Sequence, residues 1–114
     1  MKFVVLLHQD EQIWRDASPT EREEYYRRHD AFAQVATRTG STILAGEALA
    51  EVETATTVRR RGEQVSVTEG PFAETAEQLG GFYLVEAPHL DAVIEAVREL
   101  PEYTVEIRPA IDVA

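Results

Sequence analysis

The chain has 114 residues, of which 44% are hydrophobic and 28% are charged, and this composition is ordinary for one globular domain. Lysine and arginine number 11 against 21 aspartates and glutamates, so the net charge of −10 argues against nucleic acid and anionic membranes as partners. The sequence has no cysteine, which excludes disulfides and thiolate chemistry, and we expect a single domain, residues 1–114, in the cytoplasm.

The N-terminal segment predicts a buried strand. Residues 3–7 are all apolar, without the alternation that a strand with one wet face shows. This run is too short for the core of a signal peptide or for a membrane span. We therefore expect a first strand that is covered on both faces.

A long helix is predicted next. Ser18, Pro19 and Glu21 have the order of a capping box with proline at the first helical position. At 100° per residue, apolar side chains from residue 25 onward form one stripe that contains His29. Gly40 is a natural residue to end this helix.

The remaining segments predict five strands and a second helix. Residues 41–51 predict a strand with a bulge at Gly46, and residues 56–68 predict a hairpin that turns near Gly62. The three arginines beside this turn are typical of a solvated hairpin tip. Residues 80–86 predict another strand, helical spacing from residue 90 predicts a helix that Pro101 ends, and residues 103–109 alternate as a final strand.

This order of elements predicts an α+β domain with ferredoxin-like, split βαβ topology and an inserted hairpin. The expected sheet is antiparallel, with both helices packed on one face. The other face would lack a cover, although residues 3–7 and 82–85 are apolar throughout. We therefore expect a homodimer, in which a second copy covers that face around a two-fold axis.

Several segments resemble the YCII-related family, and in particular its DGPF branch. The most specific is the motif Glu69-Gly70-Pro71-Phe72 with the residues that follow it to position 86. Weaker matches are the first strand ending in His8 and residues 10–14, 18–32, 44–50 and 54–59. The resemblance implies a ferredoxin-like subunit that dimerises into an α+β barrel. This chain departs from the branch pattern at Glu69, where aspartate is usual, and at Ala76, where lysine is frequent.

The resemblance also implies a site for acid/base chemistry. Some members of the family resemble small enzymes with a histidine on the first helix and an aspartate near the end of that helix. His29 matches the histidine, whereas Arg38 stands at the position of the aspartate, so Glu47 or Glu69 would have to replace it. Because histidine titrates near neutrality, His29 is the candidate general acid or base. The alternative is a buried histidine that is bonded to a tyrosine or a backbone carbonyl.

The candidate ligand contacts lie around the loop that contains the motif. We expect this loop to line a cavity, with Phe72 pointing inward, or else to be anchored by Phe72 with its glutamates solvated. Trp14 fits either a loop anchor or an aromatic wall. No metal or other cofactor is expected, because the spacing of His8, Asp10, Glu11 and His29 does not demand one. The expected ligand contacts are His8, Tyr26, Glu47, Glu69 and Phe72.

Three functions are compatible with these residues. The first is a lyase- or isomerase-like enzyme that acts on a small cyclic or aromatic metabolite, with His29 moving a proton. The second is a non-catalytic module that binds or senses a small molecule, which the missing aspartate favours. The third, by analogy with DGPF proteins proposed to assist transcription initiation, acts through a protein partner, because the negative charge opposes direct DNA contact. The sequence leaves open whether the protein is an enzyme.

Overall fold

The computed structural model describes residues 1–113 and shows three α-helices, six strands and one short 3₁₀ turn at Val52–Thr54. The α-helices are α1 (Glu11–Asp16), α2 (Pro19–Arg38) and α3 (Leu90–Val97). The strands are β1 (Lys2–Gln9), β2 (Thr42–Ala48), β3 (Thr56–Arg61), β4 (Gln64–Glu69), β5 (Gln78–Glu86) and β6 (Thr104–Pro109).

Four strands form one antiparallel sheet in the order β2-β5-β1-β6, and β3 pairs with β4 in a separate hairpin. Strand β5 lies between β1 and β2, so the βαβ connection through α2 is split by a strand that arrives later in the chain. This order is compatible with a ferredoxin-like fold. The predicted α+β class and the antiparallel sheet are confirmed.

The hydrophobic core lies between one face of this sheet and helices α2 and α3. On β1 the alternate residues Phe3, Val5 and Leu7 are buried, whereas Val4 and Leu6 are half-exposed on the opposite face. The prediction that this strand is covered on both sides therefore holds for one face within the chain. The residues that complete the core are Phe32, Val35, Ala36, Val85, Ala87, Val93, Ala96 and Leu100.

Helix α2 begins where the capping box predicts. The Ser18 Oγ accepts a hydrogen bond from the Glu21 backbone N–H at 3.1 Å, and the Glu21 Oε1 accepts one from the Ser18 backbone N–H at 3.0 Å. The second of these bonds lowers the pKa of Glu21. Because the cap fixes the first turn, it also fixes which residues of α2 face the sheet.

Two predicted details of local structure are wrong. The irregularity in β2 lies between Ile43 and Ala45, and Gly46 pairs regularly with Tyr83. The segment around Trp14, where a loop is predicted, forms helix α1. Its N-cap is Asp10, whose carboxylate accepts a hydrogen bond from the Gln12 backbone N–H at 2.9 Å.

The hairpin of β3 and β4 makes few contacts with the other elements, and three exposed valines lie on one of its faces. Val58 pairs directly with Val67, Val65 lies on the same face, and all three side chains are exposed. At the base of the hairpin Gly70 has φ 100°, a conformation that favours glycine, and its N–H donates to the Ala55 carbonyl at 2.7 Å. Phe72 follows this turn with 77% of its surface exposed, so the prediction that it points inward is wrong within one chain.

Membrane insertion of a helix is not supported by the hydropathy of the described residues. Among residues 1–113, no helix has both the length and the apolar character that are needed to cross a bilayer.

Candidate functional site

A cavity of about 480 Å³ lies beside helix α2, at the ends of strands β1, β2 and β5. Small-molecule pockets usually enclose roughly 300–1,000 Å³, so the cavity is large enough for a metabolite. Its walls are mainly aromatic, while glycines of β2 and β5 form part of its floor. The aromatic residues whose side chains lie on the cavity side of the sheet are Trp14, Tyr25, Tyr26, Tyr83 and Tyr103, whereas Phe82 pairs with Leu6 and points to the other face.

The helical repeat brings residues of α2 to this cavity. Tyr25 and Tyr26 lie four and three residues before His29, so each lies on the same side of the helix as His29. Tyr83 pairs with Val5 across the sheet and therefore points to the same side as the buried face of β1. Tyr103, just before β6, packs against the core together with Val105 and Ile107.

His29 is the polar centre of the cavity wall, and both of its ring nitrogens are hydrogen-bonded to tyrosines. Its Nδ1 lies 2.6 Å from the Tyr83 hydroxyl, and its Nε2 lies 2.8 Å from the Tyr103 hydroxyl. Burial lowers the pKa of His29, and the carboxylate of the neighbouring Asp30 opposes this shift. The neutral imidazole is therefore the dominant form at pH 7.

Both tyrosines are also held in their neutral form. Burial raises the pKa of Tyr83, and the negative charge of Asp30 raises it further. Burial also raises the pKa of Tyr103, with smaller contributions from Tyr25 and Tyr83. Because every member of the Tyr83–His29–Tyr103 chain is uncharged near neutrality, each hydroxyl is able both to donate and to accept a hydrogen bond.

The Tyr83 ring fits between Phe32 and Gly46. It stacks on the Phe32 ring with 4.6 Å between centroids. A Cβ atom at Gly46 would lie 2.5 Å from Cδ1 of Tyr83, which is closer than carbon atoms approach without bonding. Glycine is required at position 46 by this close approach, which keeps the Tyr83 hydroxyl against His29.

A second group of contacts holds the outer aromatic wall. The Gln9 side-chain amide donates to the Tyr25 hydroxyl at 2.6 Å, and the Trp14 ring meets Tyr25 edge-on with 5.4 Å between centroids. The Arg22 guanidinium lies 4.6 Å from the centre of the Trp14 ring and donates to the Trp14 carbonyl at 2.9 Å. Helix α1 is thereby fixed against α2, and Trp14 becomes a wall of the cavity.

Carboxylates at the rim of the cavity are partly neutralised. The Glu11 Oε2 accepts a hydrogen bond from the Val52 backbone N–H at 2.9 Å, which ties α1 to the 3₁₀ turn. Arg15 lies 3.3 Å from a Glu51 carboxylate oxygen and 3.9 Å from one of Glu11. These contacts position the rim and leave the aromatic walls as the main surface offered to a ligand.

The structure brings together three of the residues predicted from the sequence, since His29, Tyr26 and Glu47 all line the cavity. His8 lies on the opposite face of the sheet, 3.9 Å from Glu106. Glu69 ends strand β4 and Phe72 follows it, so both lie with the hairpin. The predicted ligand contacts at His8, Glu69 and Phe72 are therefore not made at this cavity within one chain.

The expected carboxylate partner of His29 is replaced by phenols. Both imidazole nitrogens have tyrosine partners, and Glu47 and Glu69 are not among them. Arg38 lies exposed at the last residue of α2. Within residues 1–113, no group of three or more histidine, cysteine, aspartate and glutamate side chains is arranged to hold a metal ion.

The structure shows the predicted alternative of a histidine bonded to tyrosine, although the sequence did not identify Tyr83 and Tyr103 as the partners. A signal was present, because each tyrosine occupies an inward position among apolar neighbours, and a buried phenol needs a hydrogen-bond partner. His29 is the polar residue on the facing stripe of α2. Assigning these inward polar groups to one another needs the order of the strands, which the periodicity of each segment does not give.

Comparison with known proteins shows a match to a domain family and a similarity to a bacterial protein. The model of the YCII-related domain matches residues 1–113. An uncharacterised protein of Rhizobium meliloti strain 1021 is 33% identical over 100 residues, which cover 88% of this chain and 80% of that protein. The family match extends over both sides of the cavity, from Gln9 at the end of β1 to Tyr103 before β6.

Proposed function

The chain belongs to the YCII-related domain family, and on this premise we propose that it binds a small metabolite and moves a proton on it through His29. The observation that carries the proposal is the Tyr83–His29–Tyr103 chain in the wall of a cavity of metabolite size. A neutral histidine near pH 7 is able to give and to take a proton. A lyase or isomerase reaction fits best, because such reactions are built on the removal and return of protons.

The test of this function separates turnover from binding and folding. Trp14 is the single tryptophan of the chain and lines the cavity, so its fluorescence reports occupancy when candidate metabolites are added to the pure protein. His29→Gln keeps groups that bond to both tyrosines but removes the titrating ring. We expect this variant to bind the identified metabolite and to turn it over about 100-fold more slowly, as loss of a general acid or base does.

The matched control is His8→Gln, because His8 lies on the other face of the sheet. This variant should retain both binding and turnover. A wild-type protein that binds its metabolite without changing it would contradict the enzymatic proposal.

A binding or regulatory module is the second candidate, and the partners of His29 favour it. A catalytic histidine is usually oriented by a carboxylate, whereas His29 is bonded to two phenols. Two tyrosines that hold an imidazole still would also suit a site that recognises a ligand by hydrogen bonds. In that case His29→Gln should weaken binding itself, which the fluorescence titration measures directly.

We also propose that the protein is a homodimer that forms an α+β barrel through the open face of the sheet. On that face Val4 pairs with Leu84 and Leu6 pairs with Phe82, so four half-exposed apolar side chains form one patch. A second copy, related by a two-fold axis, would cover this patch with the same residues. Sedimentation should show a dimer at micromolar concentration, and a monomer would contradict the proposal.

Membership of the DGPF branch is proposed from the turn at Gly70. The Thr57 hydroxyl donates to the Gly70 carbonyl at 2.7 Å, and the Arg59 guanidinium donates to the Phe72 carbonyl at 2.9 Å. These contacts use backbone atoms of the motif, which explains why glutamate at position 69 is tolerated in place of aspartate.

We place the protein in the cytoplasm, without nucleic acid or membrane partners, because it lacks cysteine and has a charge of −10.

A further inference from the structure

A substrate in the cavity meets the Tyr83–His29–Tyr103 chain through the tyrosines, because both nitrogens of the imidazole are already occupied. A neutral imidazole carries one N–H and one lone pair, so one tyrosine donates to it and the other accepts from it. The accepting hydroxyl still has its own proton to donate elsewhere. Tyr83 and Tyr103 both line the cavity, so this proton is available to a bound molecule.

We propose that Tyr83, His29 and Tyr103 form a proton relay whose members stay uncharged, and that the substrate is a neutral, planar compound that exchanges protons at two conjugated positions. The inference rests on the proposed function, since it names the groups through which His29 would act. Tyr83 and Tyr103 are then the catalytic residues that touch the substrate. His29 connects them.

The relay balances without any further reactant. Tyr103 gives its hydroxyl proton to one substrate atom and receives the proton of Nε2, while Tyr83 gives its proton to Nδ1 and takes one from a second substrate atom. One substrate–hydrogen bond forms and another breaks, so the substrate is converted to its tautomer. The imidazole ends with its proton on Nδ1 instead of Nε2. After product release, a solvent water that gives one proton to the Tyr103 oxygen and takes one from the Tyr83 oxygen drives the reverse transfer and restores the first state.

The surroundings of the relay favour this neutral route. Burial disfavours imidazolium at His29 and phenolate at Tyr83 and Tyr103, so a stepwise route through either ion is costly. A relay in which each group gives one proton as it receives another avoids both ions. The two hydrogen bonds place the three groups in line for such a relay, and their burial favours it.

The walls of the cavity indicate the class of substrate. Trp14, Tyr25 and Tyr26 present ring surfaces, which favour a flat conjugated body. Of the lining residues, all of which lie in the described chain, none is lysine or arginine, so a carboxylate or phosphate would find no counter-charge in the wall. Glu11 and Glu51 at the rim add negative charge that Arg15 only partly offsets. A neutral keto–enol or lactam–lactim compound fits these walls.

The first experiment needs no substrate. In protein labelled with ¹⁵N-histidine, a relay between two chemically similar tyrosines should populate both tautomers of His29, which gives intermediate shifts for its two ring nitrogens. The resonances are assigned by their loss in His29→Gln. A single fixed tautomer in the wild-type protein would overturn the relay, because it would show that the two hydroxyls serve only to hold the ring.

Two variants sharpen this result. In Tyr83→Phe the remaining Tyr103 hydroxyl should donate to Nε2 and drive the imidazole proton to Nδ1, since a phenol is the stronger donor. In Tyr103→Phe the proton should move to Nε2. Opposite tautomers in the two variants support the relay, and the same tautomer in both would overturn it. If either variant fails to fold, the wild-type spectrum decides.

The second experiment tests the chemistry with a defined probe, the enol of methyl phenylpyruvate, whose ketonisation is followed by ultraviolet absorbance. We expect the wild-type protein to accelerate this reaction and to act less on the anionic phenylpyruvate. Tyr83→Phe and Tyr103→Phe should each lose about 100-fold in rate, with no further loss in the double variant, because the groups act as a unit. An unaffected single variant would overturn the relay while leaving proton transfer by His29 intact. A wild-type protein inert toward the neutral ester would overturn the substrate class.

Discussion

Two regions of the molecule differ in the exposure of their apolar side chains. One is the body, which consists of the main sheet with α2 and α3, and the other is the hairpin of β3 and β4. In the body, Phe3, Val5 and Phe32 are at most 2% exposed, whereas Val58 and Val67 of the hairpin are at least 60% exposed. An isolated two-stranded hairpin is marginal in water, so the hairpin gains little from its own contacts. The comparison indicates that the apolar residues of the body hold one subunit together, whereas those of the hairpin contribute little to its folding.

The largest expected effect comes from truncation in the body. Phe32 is fully buried and stacks on Tyr83, so Phe32→Ala should lower the free energy of unfolding by about 3–5 kcal/mol, as measured by urea denaturation. Phe72→Ala is the matched change beside the hairpin, and it should cost less than about 0.5 kcal/mol in the monomer, since the ring is exposed. Equal losses in the two variants would contradict the division between body and hairpin.

The second effect concerns assembly. We expect the exposed valines of the hairpin to extend the interface of the proposed dimer beyond the open face of the sheet. Val67→Glu should then weaken the dimer about 100-fold, or about 2.7 kcal/mol, because the added charge would be buried there. The control is Ser66→Glu, which adds the same charge on the opposite face of the same strand. Sedimentation equilibrium measures both. A dimer that tolerates Val67→Glu would show that the hairpin takes no part in the interface.

How far the sequence predicts the structure also differs between these regions. The strands of the body, the cap of α2 and the inward position of Tyr103 follow from periodicity and capping residues, which act locally. The tyrosine partners of His29 come from residues 54 and 74 positions away, so they depend on strand order, which local patterns do not encode. The exposed position of Phe72 could not be predicted from the sequence either. An aromatic residue in a loop gives the same sequence pattern whether it faces the core or a second chain.

A smaller effect should result from removing the cap of α2, which tests how much of the stability of the body is local. Ser18→Ala deletes the hydroxyl that accepts from the Glu21 N–H, and it should lower the free energy of unfolding by about 1 kcal/mol. Ser18→Asp should restore most of this loss, since aspartate caps equally well. Thermal denaturation of the three proteins checks the order, and no loss in the alanine variant would contradict a stabilising cap.

The smallest expected effect is a pH dependence of stability that arises from His29, which lies in the body. The folded pKa of His29 is lowered by burial below its unfolded value near 6.5, so the unfolded chain binds the proton first as the pH falls. The contribution of His29 to the free energy of unfolding should therefore be constant above the unfolded pKa. It should decrease as the pH falls from the unfolded pKa towards the folded pKa. Asp30 beside the ring reduces the shift, while Tyr83 and Tyr103 stay neutral throughout this range.

Denaturation curves between pH 7.5 and 5.5 measure this slope. The slope should be reduced in His29→Gln, which cannot titrate, and retained in Val67→Glu, which changes only the hairpin. A slope that survives unchanged in His29→Gln would assign it to other groups.

The space beside Gly46 limits how the protein can diverge. Because the Tyr83 ring occupies the volume that any Cβ at position 46 would need, a substitution there moves the phenol oxygen away from His29 before it disturbs the strand. Selection for the hydrogen bond between Tyr83 and His29 would thus also act on Gly46, which takes no part in that bond. Descendants that keep the chemistry should keep glycine at this position, whereas those that have lost it are free to accumulate larger residues, so position 46 becomes a marker that separates the two lineages.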